Sequence, residues 1–78
     1  MKKHEKYFQK EKAAYILAEF KGNTIVANLH LGRMQGYKLA LFDMNIISYE
    51  ESHKMYEEIM NAIDFAFRMR DRQRNRNN

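Results

Sequence analysis

The strongest constraint on the fold of this chain is a helix that begins at Ser48. Glu51 follows three residues later, so the serine hydroxyl can accept from the backbone N–H of Glu51 while the glutamate reaches back to the N–H of Ser48. Apolar residues then recur with the i, i+3, i+4, i+7 spacing of an amphipathic helix. They are Met55, Tyr56, Ile59, Met60, Ile63, Ala66, Phe67 and Met69. The sequence therefore predicts a helix over residues 48–71.

Two more helices are predicted upstream. Asn45 is suited to the left-handed conformation that ends a helix, with Ile46 folding back on Leu41, which predicts a helix over about 24–44. Residues 2–21 are mostly good helix formers and are followed by Gly22, a common helix-ending residue. We therefore expect a compact three-helix bundle of the all-α class.

The second helix carries two apolar faces. Gly32, Gly36 and Ala40 lie on one of them and permit close backbone approach. The other face contains Met34, Tyr37, Leu41 and Met44. These two faces predict a helix that is buried on both sides at the centre of the bundle.

The same residues allow an α+β alternative. The segments 14–20 and 25–31 align as a hairpin about Gly22 and Asn23, and 37–42 adds a third strand of an antiparallel meander covered by helix 48–71. Against this alternative, the chain has one Val and one Thr, and its candidate strands are rich in Ala and Leu. This composition favours the helices.

Length and composition limit the class of protein. With 78 residues and no cysteine, the chain is predicted to be one small domain, residues 1–71, followed by a disordered basic tail, residues 72–78. No stretch reaches the ~18 apolar residues of a membrane span. We expect a cytoplasmic protein without membrane attachment.

Candidate catalytic and metal-binding residues form no recognisable site. His4, His30 and His53 are spread along the chain without a second ligand at metal spacing. The acids Glu50, Glu51, Glu57 and Glu58 belong to the polar face of an amphipathic helix. We therefore expect a non-enzymatic protein with no cofactor, no metal site and no catalytic residues.

The apolar stripe of helix 48–71 is wide enough to contain a partner-binding edge. One edge contains Met55, Ile59, Ala62, Ala66 and Met69, and the other contains Tyr56, Met60, Ile63 and Phe67. Methionine and aromatic side chains are adaptable anchors at protein interfaces. The partner-binding candidates are accordingly Met55, Tyr56, Ile59, Met60, Ile63, Phe67 and Met69.

Five arginines alternate with other residues at the end of the chain. They are Arg68, Arg70, Arg72, Arg74 and Arg76. On a helix they diverge to different sides, whereas in an extended chain they share one side at ~6.7 Å intervals and can follow a phosphate backbone. They are the candidate nucleic-acid contacts of the alternative function, and they form a single cationic row only if the helix ends near Asp71.

Two functions follow from these patterns. The first is a small protein-protein interaction module, a homodimeric regulatory or inhibitory accessory protein of a bacterium or mobile element, which docks an apolar helix face on another protein. The alternative is a small basic DNA- or RNA-binding regulator that uses the arginine row.

Overall fold

The computed structural model describes the backbone of residues 2–77 and the side chains of residues 2–75. The described chain forms three helices, α1 (Lys3–Phe20), α2 (Thr24–Asp43) and α3 (Tyr49–Asn77), and it contains no strand. The predicted all-α three-helix bundle is confirmed, and the alternative with a three-stranded meander is not supported.

The first connection reverses the chain within a few residues. Gly22 takes a left-handed φ of 75°, and its N–H donates to the carbonyl of Glu19 at 3.0 Å while the N–H of Asn23 donates to Ala18 at 2.9 Å. The side chain of Asn23 then accepts from the backbone N–H of Val26 at 3.2 Å. Asn23 therefore takes part both in closing α1 and in capping α2.

The second connection contains both predicted caps. Asn45 has a φ of 59°, and the N–H of Ile46 donates to the carbonyl of Leu41 at 2.9 Å. At the start of α3, the N–H of Glu51 donates to Oγ of Ser48 at 3.1 Å. The N–H of Ser48 donates to Oε1 of Glu51 at 3.2 Å. The capping residues predicted from the sequence are thus confirmed.

The three helices share one core, in which Phe8, Met34 and Ile59 are the largest fully buried side chains. Each of these three comes from a different helix, so the core lies on the common axis of the bundle. The core comprises Phe8, Tyr15, Ala18, Ala27, Met34, Leu41, Ile47, Met55, Ile59, Ala62 and Ala66.

Side-chain contacts fix the directions of α1 and α2. The rings of Tyr7 and Tyr37 have centroids 4.4 Å apart, so the start of α1 lies beside the later part of α2. Further along α1, the buried carboxylate of Glu11 is hydrogen-bonded to Nδ1 of His30 and lies 3.8 Å from Nη1 of Arg33. The two helices are therefore antiparallel, and the charge of Glu11 is compensated where it is buried.

Helix α3 runs parallel to α1. Oε1 of Glu58 accepts from Gln9 at 3.1 Å and from Lys12 at 3.4 Å. Two turns later along α1, Oε2 of Glu19 lies 3.8 Å from Nη1 of Arg70. These contacts hold α3 against α1 from Glu58 to Arg70.

The expectation that α2 is buried on two faces is wrong. Gly32, Gly36 and Ala40 are exposed, and in the described part of the chain no atom beyond the neighbouring turns lies within 4 Å of where a Cβ of either glycine would stand. Both other helices pack on the opposite side of α2, around Met34 and Leu41. The small residues therefore form an outer surface.

Helix α3 continues to Asn77 instead of ending near residue 71. The chain has no glycine after Gly36 and no proline, so no residue breaks the helix. Met69, Arg72 and Gln73 also line a small cleft with Phe20 of α1, which supports this part of the helix. The division into a domain of residues 1–71 and a tail of residues 72–78 stays a prediction.

Candidate interaction surface

The inner edge of α3 is used inside the chain. Met55, Ile59, Ala62 and Ala66 are buried in the core, and Met69 is partly buried beside Phe20. Three of the partner-binding candidates, Met55, Ile59 and Met69, therefore pack within the chain.

The opposite edge of α3 faces outward. Tyr56, Met60 and Phe67 are 47%, 46% and 54% exposed, and Ile63 is partly buried against the core. Large apolar side chains at similar exposure in one line make a continuous surface, whereas scattered ones are ordinary. These four partner-binding candidates are the ones that the structure leaves accessible.

Sequence reasoning missed the first two members of this line. Tyr49, 72% exposed, precedes Tyr56 by one heptad, and its ring is stacked on His53 with centroids 6.3 Å apart. His53 is in turn stacked on Tyr56 at 6.1 Å. The signal was present, because the alternating spacing of four and three residues extends back to Tyr49. We call the whole line the outer seam; its members are Tyr49, His53, Tyr56, Met60, Ile63 and Phe67.

Helix α2 borders the outer seam on one side. The ring of Phe42 lies 6.4 Å from that of Tyr49 in an edge-on arrangement, and Nζ of Lys38 lies 5.4 Å from the ring centroid of Tyr56. Such cation–π contacts orient an aromatic ring without covering its outer side. The rings are thus held in place on the surface by residues from two helices.

The arginines do not form a single row. Arg68 pairs with Asp64 at 3.1 Å, and Arg70 approaches the buried carboxylate of Glu19. On the continuing helix Arg68 and Arg72 point to one side and Arg70 and Arg74 to another. Arg72 and Arg74 are exposed, and the side chain of Arg76 lies outside the described residues.

The contact between Arg70 and Glu19 belongs to the packing of α1 against α3. The hydroxyl of Tyr15 also donates to Oε2 of Glu19 at 3.4 Å. Burial, together with the negative charge of Glu19, raises the pKa of Tyr15 to about 12. Arg70 therefore compensates a buried charge, which leaves it less available for an external anion.

A cleft of about 520 Å³ lies between the first turns of α1 and α3. Its floor is apolar, with Phe8 and Met55, and its rim carries Glu51 and Glu58. Both carboxylates already have partners, Glu51 in the cap of α3 and Glu58 with Gln9 and Lys12. Glu58 thus serves the packing of α1 against α3, and Glu51 serves the start of α3.

The described residues contain no group of three or more His, Cys, Asp or Glu side chains placed to hold a metal ion. None of the helices in residues 2–77 is long and apolar enough to cross a membrane.

Compared with protein families, curated proteins and solved structures, the chain matches none of them.

Proposed function

We propose that this protein is a non-enzymatic interaction module that docks the outer seam of α3 on a partner protein and thereby regulates or inhibits it. One observation carries the proposal: the seam exposes Tyr49, Tyr56, Met60 and Phe67 along one side of a helix whose other apolar edge is already packed in the core. Exposed apolar surface of this extent is typical of interaction sites.

The mode of binding follows from the spacing of the seam. An amphipathic helix docks its apolar side chains, at intervals of three and four residues, into a groove of its partner. Aromatic rings and methionine dominate the binding energy of many interfaces because they bury a large area at a small entropic cost. The partner would be blocked or recruited through the surface that the seam covers.

A pair of glutamate substitutions tests this proposal. Met60→Glu places a charge in the middle of the seam, and Phe65→Glu is the matched control, since Phe65 is 50% exposed but lies outside the seam. Tagged protein is used to retain partners from a nuclease-treated lysate of the source, and circular dichroism confirms that both variants remain helical. We expect Met60→Glu to lose a partner that wild type and Phe65→Glu retain. Equal retention by all three proteins would exclude the seam.

Nucleic-acid binding is a second candidate function, favoured by the exposed Arg72 and Arg74. Truncation after Asp71 removes Arg72, Arg74 and Arg76 but keeps Arg70 beside Glu19. If these arginines bind phosphates, the truncated protein has a lower affinity for nucleic acid. The slope of the logarithm of its binding constant against the logarithm of the salt concentration also becomes shallower, by about 0.9 for each phosphate that it no longer neutralises. If the full and the truncated chains show equal affinity and equal salt dependence in a fluorescence-anisotropy titration with nucleic acid, the three deleted arginines do not contribute to binding.

A further inference from the structure

We propose that the outer seam is covered, in the resting protein, by the outer seam of a second copy in antiparallel orientation. This inference rests on the proposed function, since it concerns the same surface. A second copy of the chain is then the first occupant of the outer seam, and any target protein must compete with it.

The spacing of the seam fits another helix of the same kind. From Tyr49 its members are separated alternately by four and three residues, and the same spacing continues through Arg70 and Arg74. A repeat of 3.5 residues keeps a seam facing one partner helix over its whole length. A flat or irregular partner surface does not require this regularity.

The two halves of α3 carry opposite charge. Residues 49–62 contain four Glu and one Lys, a net charge of −3, while residues 63–75 contain four Arg and two Asp, a net charge of +2. Two copies in parallel place like charges side by side, whereas antiparallel copies bring each acidic half against the basic half of the other. Charge complementarity therefore selects the antiparallel orientation.

Antiparallel pairing also places a suitable side chain of the second copy opposite each member of the outer seam. When two copies are centred between Asn61 and Ala62, Met60 meets the partner's Ile63 and Tyr56 meets the partner's Phe67, which makes an apolar centre. Towards the ends, the ring of Tyr49 meets the partner's exposed Arg74, and the ring of His53 lies near the partner's Arg70, which also pairs with Glu19 in its own chain. Arginine over an exposed tyrosine ring is a favourable cation–π arrangement.

One flank of the pair is less favourable. Glu50, Glu57, Asp64 and Asp71 border the seam at intervals of seven residues on the side away from α2, and antiparallel copies bring Glu57 towards the partner's Asp64 and Glu50 towards the partner's Asp71. Arg68 lies 3.1 Å from Asp64 and offsets part of the repulsion there. Glu57 has a local polar partner in Nε2 of His53, at 3.1 Å.

The available area agrees with a dimer. A stable interface takes about 800 Å² from each partner, which is roughly a seventh of the accessible surface of 5866 Å². From Tyr49 to Phe67 the outer seam is about 27 Å long at 1.5 Å per residue, and the line of side chains reaches about 37 Å when it is extended to Arg74. Half-exposed aromatic rings still offer roughly 100 Å² each, and Phe42 of α2 extends the exposed apolar surface beside Tyr49.

Engineered cysteines test the orientation, because the natural chain has none. Tyr56→Cys and Phe67→Cys are prepared separately, one with a size tag, and are oxidised alone and as a mixture. We expect a mixed disulfide in the mixture and little disulfide dimer from either variant alone, because equivalent positions are ~16 Å apart along antiparallel helices and a disulfide needs Cα atoms within about 7 Å. Self-linked Tyr56→Cys at the yield of the mixture would overturn the antiparallel arrangement.

Sedimentation of the cysteine-free protein gives a second, independent measurement. We expect wild type and Phe65→Glu to form dimers, and Met60→Glu to raise the dissociation constant of the dimer by at least about tenfold, since it faces the centre of the interface. A wild type that stays monomeric up to millimolar concentration overturns self-association. The lysate experiment tests the proposed function separately, because a partner protein can be retained by wild type and lost by Met60→Glu whether or not the protein forms a dimer.

Discussion

At the scale of single residues, the ends of the helices are determined by a few side chains with specific partners. Ser48 and Glu51 exchange hydrogen bonds at the start of α3, and Gly22 and Asn45 take the two left-handed conformations that end α1 and α2. All four residues could be predicted from the sequence because each motif is local. Contacts such as Glu11 with His30 join residues far apart in the chain, and no local pattern indicates them.

Removing the cap of α3 should destabilise the protein. Ser48→Ala deletes the acceptor of the Glu51 N–H, and such a loss costs about 1 kcal/mol in the free energy of unfolding. Ser52→Ala is the matched control, because Ser52 lies in the first turn of α3 but does not cap it. Urea unfolding followed by circular dichroism should show the loss for Ser48→Ala alone. A similar effect of both substitutions would contradict a specific cap.

The same cap makes the stability depend on pH. The backbone N–H of Ser48 donates to the ionised Glu51, which holds the pKa of that carboxyl below its ordinary value of 4.5. The unfolded chain therefore binds the proton first as the pH falls. The stabilisation is fully present above the ordinary pKa and is lost as the pH falls through the lowered one. Glu51→Gln should be less stable than wild type at pH 7, and the difference should shrink in acid unfolding experiments.

At the scale of elements, α2 and α3 differ in what the sequence reveals. Both edges of α3 have helical spacing and similar apolar content, so the pattern identified the helix without showing which edge faces the core. The core is reached by the edge with Ala62 and Ala66, whose small side chains allow α1 and α2 to approach. In α2 the small residues Gly32, Gly36 and Ala40 lie on the outside instead, while Ala27, Met34 and Leu41 face the other helices.

The outward glycines of α2 lead to an unusual expectation for substitution. A methyl group on Gly32 or Gly36 has free space, and alanine is favoured over glycine in a helix by about 1 kcal/mol. Gly32→Ala and Gly36→Ala should each raise the free energy of unfolding by nearly that amount. Gly22→Ala, at a φ of 75°, should lower it. Destabilisation by Gly36→Ala in thermal unfolding would mean that this face of α2 is packed against something.

At the scale of the whole molecule, a single copy leaves much apolar surface uncovered. Among the residues that the structure describes, the core holds seven large apolar side chains and four alanines, whereas fourteen large apolar side chains are exposed. A domain of this size buries only about 60 to 65% of the surface of its unfolded chain. Composition alone therefore favours the hypothesis of association through apolar surface, which stays a prediction. It could not predict the surface involved, since that depends on which helix faces pack together within the chain.

The two short connections have a consequence for how the chain reaches this structure. Each helix packs on the next helix in the sequence, and only a few residues reverse the chain between them. Most contacts between helices therefore form by closing a short loop, which has a small entropic cost and a low folding barrier. The chain also lacks proline, whose isomerisation causes the slow phases seen in many refolding proteins. The bundle should therefore fold in a single phase within milliseconds or less, faster than two copies can meet at micromolar concentration, so each outer seam is complete before it encounters another.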